Sequence, residues 1–391
     1  MSPSKMLTYL NIGHFLDHYF LMIFPFVVLA IAPIWNLSYD QALALGAPLY
    51  VGFAVGTLPV GWLGDTYKRE YLMVALFIGT GLSSVAVAIA TTPFWLMVGL
   101  GGLGLFLSIY HPIGLSMITM LNNRPGRTLA INGVYGNLGL AAASLISAML
   151  ADLAGWRSAF LLPGVVALVV GGFYCMNLLS DKNTQVAEPE SKTEIKPRAT
   201  TETQAVVIVV VMIAALFGGI IFNGVTITLP KLFEIRLVSS GNQLSSIGAY
   251  SALVFAIAAF AQLPVGNLLD RFGAKPVLLI LLSLQSLMLL MLANATGFSV
   301  VAIACFLVLL MFAQIPVTGW LVAGYISMTW RSRVFSLEYV LSLGMSAIMV
   351  PIIASLFGRG FSFSHLYTGF AVSAGIILIA LPLLPGYKFG Q

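Results

Sequence analysis

The side chains best suited to chemistry are ionisable groups that lie inside long apolar stretches of the sequence. Asp17 lies within residues 7–33, three residues after His14 and one residue before His18, and His111 lies within a second apolar stretch. Because His14 and His18 are four residues apart, they share one face of a helix. Ionisable groups inside an apolar bundle are costly and face its interior or a water-filled cavity. We predict that Asp17 binds and releases a proton with the three histidines as partners; a permanently paired structural cluster is the alternative.

Glu338 is a further carboxyl group inside an apolar stretch and the second candidate for proton coupling. It lies five residues after Arg333. A structural ion pair with that arginine is the favoured interpretation, and a role in proton transfer is the alternative.

Metal, cofactor and enzyme chemistry find little support in the sequence. Three histidines and one aspartate could form a transition-metal site, but no ligand motif accompanies them, and we predict no metal. Cys175 and Cys305 lie in separate apolar stretches, so neither a disulfide framework nor a thiolate site is expected. The sequence has no phosphate-binding loop and no evident nucleophile–base pair. We therefore expect no cofactor and no enzymatic activity.

Uncharged polar side chains inside the apolar stretches form a second group of candidates. Such side chains either line a substrate cavity or bind helices to one another. The candidates are Tyr19, Tyr110, Asn132, Tyr135, Asn137, Asn223, Gln262 and Gln314. A lightly charged, aromatic cavity favours a substrate that is neutral, amphipathic or singly charged. The sequence shows no arginine cluster inside these stretches, which argues against phosphate or dicarboxylate substrates.

The elements that must position these residues follow from composition. Of the 391 residues, 59% are hydrophobic and 8% are charged, whereas soluble domains carry about 25% charged residues. A membrane-spanning helix needs about 20 apolar residues, and the sequence contains twelve such stretches. They lie near residues 7–33, 42–64, 70–91, 94–121, 128–152, 158–179, 205–229, 245–269, 275–294, 298–328, 334–357 and 364–384. Pro112 and Pro316 should interrupt the fourth and tenth of them.

The distribution of basic residues predicts the orientation in the membrane. With both termini in the cytoplasm, only Arg157, Lys231, Arg236 and Arg359 of the 18 lysines and arginines lie outside. Basic residues are retained on the cytoplasmic side. We therefore predict a multi-pass protein of the inner membrane, and the net charge of +5 implies no nucleic-acid partner.

The chain divides into two similar halves. Residues 180–204 are polar and should form a flexible cytoplasmic linker between domains 1–179 and 205–391. The motif at residues 59–65 recurs 205 residues later at residues 264–270. Because each half has an even number of spans, the copies are related by an axis along the membrane normal.

One of these repeats carries a family resemblance. Gly-x-Leu-x-Asp-Arg-x-Gly-x-Lys at residues 266–275 resembles the signature loop of the major facilitator superfamily. In the first copy Asp65 and Arg69 remain, while Thr66 and Lys68 depart from the pattern. The resemblance implies an all-α membrane protein, with twelve transmembrane helices in two pseudo-symmetric six-helix bundles, that transports by alternating access as a monomer.

The resemblance also implies a cytoplasmic gate. A carboxylate at the end of one helix can face the N-terminus of another, where the helix dipole favours negative charge. By the family's geometry, Asp65 should lie near Arg333 and Asp270 near Arg127. Arg69 and Arg271 belong to the same two loops.

A narrower resemblance concerns the branch of fosmidomycin-resistance proteins. It rests on Gly13-His14-Phe15-x-Asp17, Tyr110-His111-Pro112 and Gly136-Asn137-x-Gly139. This branch implies proton-driven export of a small compound. The leading hypothesis is thus proton-coupled export of a small amphipathic or singly charged compound. Uptake of a metabolite or siderophore-like ligand by proton symport, and a non-transporting membrane sensor, are the alternatives.

Overall fold

The computed structural model describes residues 1–121, 125–180, 200–237, 243–326 and 328–386. Within these residues every regular element is helical. The α-helices are α1 (Pro3–Ile34), α2 (Tyr39–Ala44), α3 (Ala47–Thr66), α4 (Arg69–Ala88), α5 (Pro93–Leu107), α6 (Leu115–Leu121), α7 (Pro125–Ala154), α8 (Ser158–Ser180), α9 (Thr201–Leu237), α10 (Leu244–Ala259), α11 (Gln262–Phe272), α12 (Ala274–Asn294), α13 (Ser299–Ala313), α14 (Ile315–Tyr325), α15 (Met328–Ser342), α16 (Ser346–Gly358) and α17 (Phe363–Ala380).

Twelve helical segments in the described residues are long and apolar enough to cross a membrane. They coincide with the twelve predicted stretches, and the prediction of twelve spans is confirmed. The seventh span begins at Thr201, so the last residues of the predicted linker are helical. Residues 181–199, which make up most of that linker, lie outside the described part of the chain.

Two of the spans are interrupted at the predicted prolines. The fourth span leaves α-helical geometry after Leu107, passes through a π-helical turn at Tyr110–Gly114 that contains Pro112, and continues as α6. The tenth span is broken between α13 and α14, where Pro316 is the second residue of the new helix. Proline has no N–H to donate and its ring clashes with the preceding turn, which explains both interruptions.

The helices group into two compact units. The first contains Met1–Lys192, Ser240–Ala252 and Val350–Gly358, and the second contains the remainder of the chain. In the first unit α1 packs along α7, α3 along α5 and α4 along α8. The same three pairings occur six spans later in the second unit, as α9 with α15, α11 with α14 and α12 with α17. The internal repeat of the sequence is therefore also a repeat of packing.

The contact between α1 and α7 is a backbone contact. A Cβ atom added at Gly139 of α7 would lie 2.2 Å from the carbonyl oxygen of Phe15 on α1. Small residues allow this approach between membrane helices. Phe15 lies between His14 and Asp17, so this packing sets the position of the predicted proton site.

We expect Gly139→Val to destabilise the protein, because the added side chain overlaps the α1 backbone. Overpacking of this kind costs about 1–3 kcal/mol or more. Thermal unfolding of the purified protein followed by intrinsic fluorescence should show a lower midpoint. The matched control is Gly172→Val on α8, where nothing lies within 4 Å of an added Cβ atom. Equal midpoints for the two variants would contradict the backbone contact.

Candidate functional site

The four ionisable side chains predicted to act together lie in one cluster of the first unit. Asp17 is near the middle of α1 and its side chain is 0% exposed. Its Oδ2 atom lies 3.2 Å from Nε2 of His111. The rings of His14 and His18 lie 5.4 Å and 5.5 Å from the ring of His111, measured between centroids. One carboxyl group thus faces an imidazole, with two further imidazoles beside it.

The π-helical turn explains how the fourth span reaches α1 with two consecutive side chains. A π-helical turn is wider than an α-helical turn and often marks a functional site. The ring of Tyr110 stacks on His14 with 4.7 Å between centroids, and its hydroxyl donates to the Leu10 carbonyl at 2.9 Å. His111, the next residue, faces Asp17. Pro112 is therefore the local reason for the placement of His111.

His14 is oriented by α7. Its Nδ1 atom lies 2.8 Å from the carbonyl oxygen of Asn132. A carbonyl oxygen can only accept a hydrogen bond, so Nδ1 donates, and in the neutral ring Nε2 keeps its lone pair. A Cβ atom added at Gly136 would lie 2.6 Å from that Nε2 atom. Gly136, part of the motif that carries the narrower resemblance, thus leaves room for the His14 ring.

Two of the predicted cavity residues also join helices. The single hydroxyl proton of Tyr110 is shared between the Leu10 carbonyl and Oδ1 of Asn132, which lies at 3.0 Å, and Nδ2 of Asn132 donates to Oδ1 of Asn11 at 2.9 Å. Asn132 is completely buried. This network binds α1, the π-helical turn and α7 into one support for the cluster, which is the structural alternative that the sequence left open.

The remaining cavity candidates lie in both units. Tyr19 is buried and stacks on Phe15, Asn137 is buried, and Tyr135 is 41% exposed. In the second unit, Asn223 donates to the carbonyl oxygens of Gly219 and Ser342, Gln314 pairs with Gln285, and Gln262 is buried. Which of these side chains contact a substrate stays a prediction.

Comparison with known proteins settles the family. The family model described as "Major Facilitator Superfamily" matches residues 10–257. The chain belongs to the major facilitator superfamily. Members of this superfamily are membrane transporters rather than enzymes. By its family, this chain is therefore a multi-pass membrane transporter.

A solved structure from the superfamily supports the fold. The bacterial homolog of the human lysosomal transporter Spinster, crystallised in an inward-facing and unoccupied conformation, superposes with a TM-score of 0.70 at 15% identity. The superposition covers 98% of this chain and 94% of that chain. At this identity the likeness shows the major facilitator fold alone.

Curated relatives in the superfamily match parts of the chain. The 4-hydroxybenzoate transporter PcaK of Pseudomonas aeruginosa is 28% identical over 147 residues, or 37% of this chain and 33% of that protein. The "Probable 4-methylmuconolactone transporter" of Cupriavidus pinatubonensis is 24% identical over 280 residues, or 69% of this chain and 63% of that protein. The matches to the first three curated relatives span 33%, 44% and 63% of their lengths.

The superfamily's gate motif is partly described. Nε1 of Trp320 on α14 donates to Oδ1 of Asp270 at 3.0 Å, and the guanidinium group of Arg271 lies over the ring of Phe272. Trp320 was not among the sequence candidates. Arg69 is the first residue of α4. The side chains of Asp65, Arg127 and Arg333 lie outside the described part, so the predicted pairings stay predictions.

Glu338 lies in the second unit. It is half-buried on α15 and accepts a hydrogen bond from Thr318 on α14. Its predicted ion pair with Arg333 involves a side chain outside the described part. Glu338 therefore keeps its place as the second proton candidate.

The residues with ligand chemistry for a metal are the three histidines. One ring nitrogen from each of His14, His18 and His111 lies within 4.8 Å of the others. A tetrahedral zinc ion with bonds of 2.0–2.1 Å would bring these nitrogens to about 3.4 Å. Formation of such a zinc site would require the three imidazole rings to move closer to one another.

We expect Gly136→Ala to destabilise the protein by about 1–3 kcal/mol, because the methyl group meets the His14 ring. In a His14→Ala background the same change should cost little. A double-mutant cycle of thermal unfolding measures this coupling directly. Additive effects of the two substitutions would show that Gly136 does not make room for His14.

Proposed function

We propose that this superfamily member is a secondary active transporter that exports a small amphipathic or singly charged compound in exchange for protons. It would lie in the inner membrane as a monomer with both termini in the cytoplasm, in contact with lipid, substrate and protons and with no nucleic acid. The observation that carries the proposal is the fully buried Asp17 carboxyl group, held 3.2 Å from His111.

The assignment of Asp17 as the proton site is supported by the hydrogen bonds that its carboxyl group does not make with the described residues. A carboxylate in the middle of a membrane helix costs about 2.5–3.5 kcal/mol on insertion scales. A purely structural pair would be expected to satisfy the remaining lone pairs with further hydrogen bonds. Oδ1 of Asp17 has no hydrogen-bond partner among the described residues. No further protein donor in the described residues therefore holds this carboxyl group permanently ionised, which suits a group that changes its protonation state.

The surroundings of Asp17 give the proton a second acceptor. Nε2 of His111 lies 3.2 Å from the carboxyl group, and the rings of His14 and His18 lie 5.4 Å and 5.5 Å from the His111 ring. A proton on Asp17 can therefore pass to the imidazole of His111 over the 3.2 Å that separates Oδ2 from Nε2. Alternating exposure of the cluster to the two sides of the membrane would load and release this proton, as alternating access requires.

The substrate class and the direction are supported by resemblance. One relative is named for 4-hydroxybenzoate and another for 4-methylmuconolactone, and both compounds are small and amphipathic. The motifs around Asp17, His111 and Gly136 resemble an exporter branch, which favours export. Proton-coupled uptake of a similar metabolite is the alternative, and the direction of proton movement separates the two.

We expect Asp17→Asn to abolish gradient-driven transport and to leave exchange intact, because the amide cannot carry the coupling proton. The measurement uses full-length protein in proteoliposomes with radiolabelled 4-hydroxybenzoate as the probe and a pH dye inside. Wild-type protein should concentrate the probe under a proton gradient and the variant should reach only equilibrium. Equilibrium exchange of labelled for unlabelled probe is the control. Concentration by the variant to the wild-type level would refute the assignment and leave Glu338 as the next candidate.

His111→Gln should change the pH dependence of transport rather than abolish it. Glutamine can still donate a hydrogen bond to Asp17 but cannot bind a proton. The titratable groups that remain around Asp17 are His14 and His18 on α1 and Tyr110 in the π-helical turn. Initial rates measured over a series of external pH values give the profile. An unchanged profile would remove His111 from the coupling mechanism.

A further inference from the structure

A small cavity borders Asp17 apart from the histidine contact. It lies between α1, α4, α5 and α8, and its volume of about 10 Å³ is at the lower end of the range that one water molecule requires. Leu76, Phe77 and Leu107 form apolar parts of its wall. Its polar lining residues are Asp17 and Thr80. This volume is the minimum that one water molecule requires, and the polar partners that the wall offers such a water are the side chains of Asp17 and Thr80.

Thr80 carries a buried hydroxyl group on α4. Its side chain is 2% exposed, and its Oγ1 atom has no hydrogen-bond partner in the part of the chain that the structure describes. Threonine inside a helix commonly donates to a carbonyl of the preceding turn. One turn further along α4, Ser84 donates to the carbonyl oxygen of Phe160 at 2.7 Å. The Thr80 hydroxyl is thus the one of these two that remains available to the cavity.

Two glycines fix the place of Thr80. A Cβ atom added at Gly79 would lie 2.1 Å from the ring of Phe106 on α5, and one added at Gly81 would lie 2.8 Å from the carbonyl oxygen of Gly164 on α8. The α4 backbone is therefore in close contact with a helix on each side. Thr80, between the two glycines, is held at the cavity that Asp17 borders.

We propose that this cavity binds one water molecule that bridges the Asp17 carboxyl group and the Thr80 hydroxyl. The ionised carboxylate would accept a hydrogen bond from this water, and the water would donate to or accept from Thr80. When the carboxyl group is protonated, the water accepts its hydrogen. Thr80 is then a positioning residue, which holds the water that completes the hydrogen bonds of Asp17. The importance of Thr80 for transport rests on the proposed proton site. The binding of the water molecule does not depend on that proposal.

The groups that surround Asp17 allow the effect of the water molecule on the carboxyl group to be separated from the effect of nearby charges. His111 from the π-helical turn lies 3.2 Å from Asp17, and His14 and His18, on the same helix as Asp17, are the titratable groups beside His111. The cavity walls from α4, α5 and α8 contribute apolar side chains and Thr80. A change at Thr80 therefore alters the hydrogen bonding of the carboxyl group without altering a charge.

Infrared difference spectra of full-length protein in liposomes, recorded on a change of pH, test the site. The carbonyl band of protonated Asp17 is identified by its loss in Asp17→Asn. In Thr80→Val it should shift to higher wavenumber, because a hydrogen bond to the carboxyl group is lost. Thr80→Ser should restore the wild-type position. Ser84→Ala, which removes a hydroxyl that already has a carbonyl partner, should leave the band unmoved.

Exchange into water labelled with oxygen-18 gives an independent signature. A weak O–H stretching band should shift on exchange in the wild-type protein and be absent in Thr80→Val. An Asp17 band at the same position in wild type and Thr80→Val, with no band sensitive to the label, would overturn the proposal.

If Thr80→Val fails to fold, or if Asp17 shows no carbonyl band, a density map of the wild-type protein tests the proposal. The map must resolve ordered water molecules. Density within hydrogen-bond distance of both Asp17 and Thr80 supports the proposal, and a dry cavity overturns it. The map also separates the two proposals. Gradient-driven transport that survives in Asp17→Asn would refute the proton site, while the water could still be present between the two side chains.

Discussion

The buried contact between Asp17 and His111 is the interaction on which the rest of the first unit depends. A carboxyl group that is wholly removed from water in the middle of a membrane helix must be paired, protonated or exposed in another conformation. Here it faces one imidazole at 3.2 Å. The helices around it are arranged so that this contact is kept: α1 carries the acid, the π-helical turn carries the imidazole, and α7 holds both elements in register.

The contact between Asp17 and His111 is supported by hydrogen bonds and by glycines, whose lack of a side chain leaves room for neighbouring groups. Asn132 links Tyr110 to Asn11 and accepts from His14 through its backbone. At Gly136 and Gly139 any side chain would collide with His14 or with the α1 backbone. In a membrane, close backbone packing and interhelical hydrogen bonds provide the association that the hydrophobic effect provides in water. The same features that stabilise the bundle therefore also orient the groups of the candidate site.

Much of this architecture could be predicted from the sequence, since its signals are local or periodic. Apolar stretches of sufficient length predicted the twelve spans. Proline has no N–H group to donate, and this predicted the helix breaks at Pro112 and Pro316. The cluster around Asp17 was predictable because ionisable groups inside apolar stretches are few. The role of Gly136 was hidden, because the sequence shows a glycine in a motif but not the ring that it accommodates.

Other features depend on several helices meeting and have no signature in one segment. Thr80 has an ordinary helical sequence context, and only the packing of α4 against α5 and α8 reveals that its hydroxyl reaches a cavity. Trp320 contacts Asp270 from a different helix, 50 residues away. Polar residues such as Asn132 could line a cavity or join helices, and sequence alone could not choose between these roles.

Solid-state NMR directly measures whether the Asp17 carboxyl group changes its protonation state. The protein would be labelled with ¹³C at aspartate carboxyl carbons and studied in liposomes, with the Asp17 signal assigned by its loss in Asp17→Asn. The account predicts that this signal moves between the chemical shifts of an ionised and a protonated carboxyl group as pH crosses the range of a cell's proton gradient. A signal that stays at one of these positions throughout that range would contradict it.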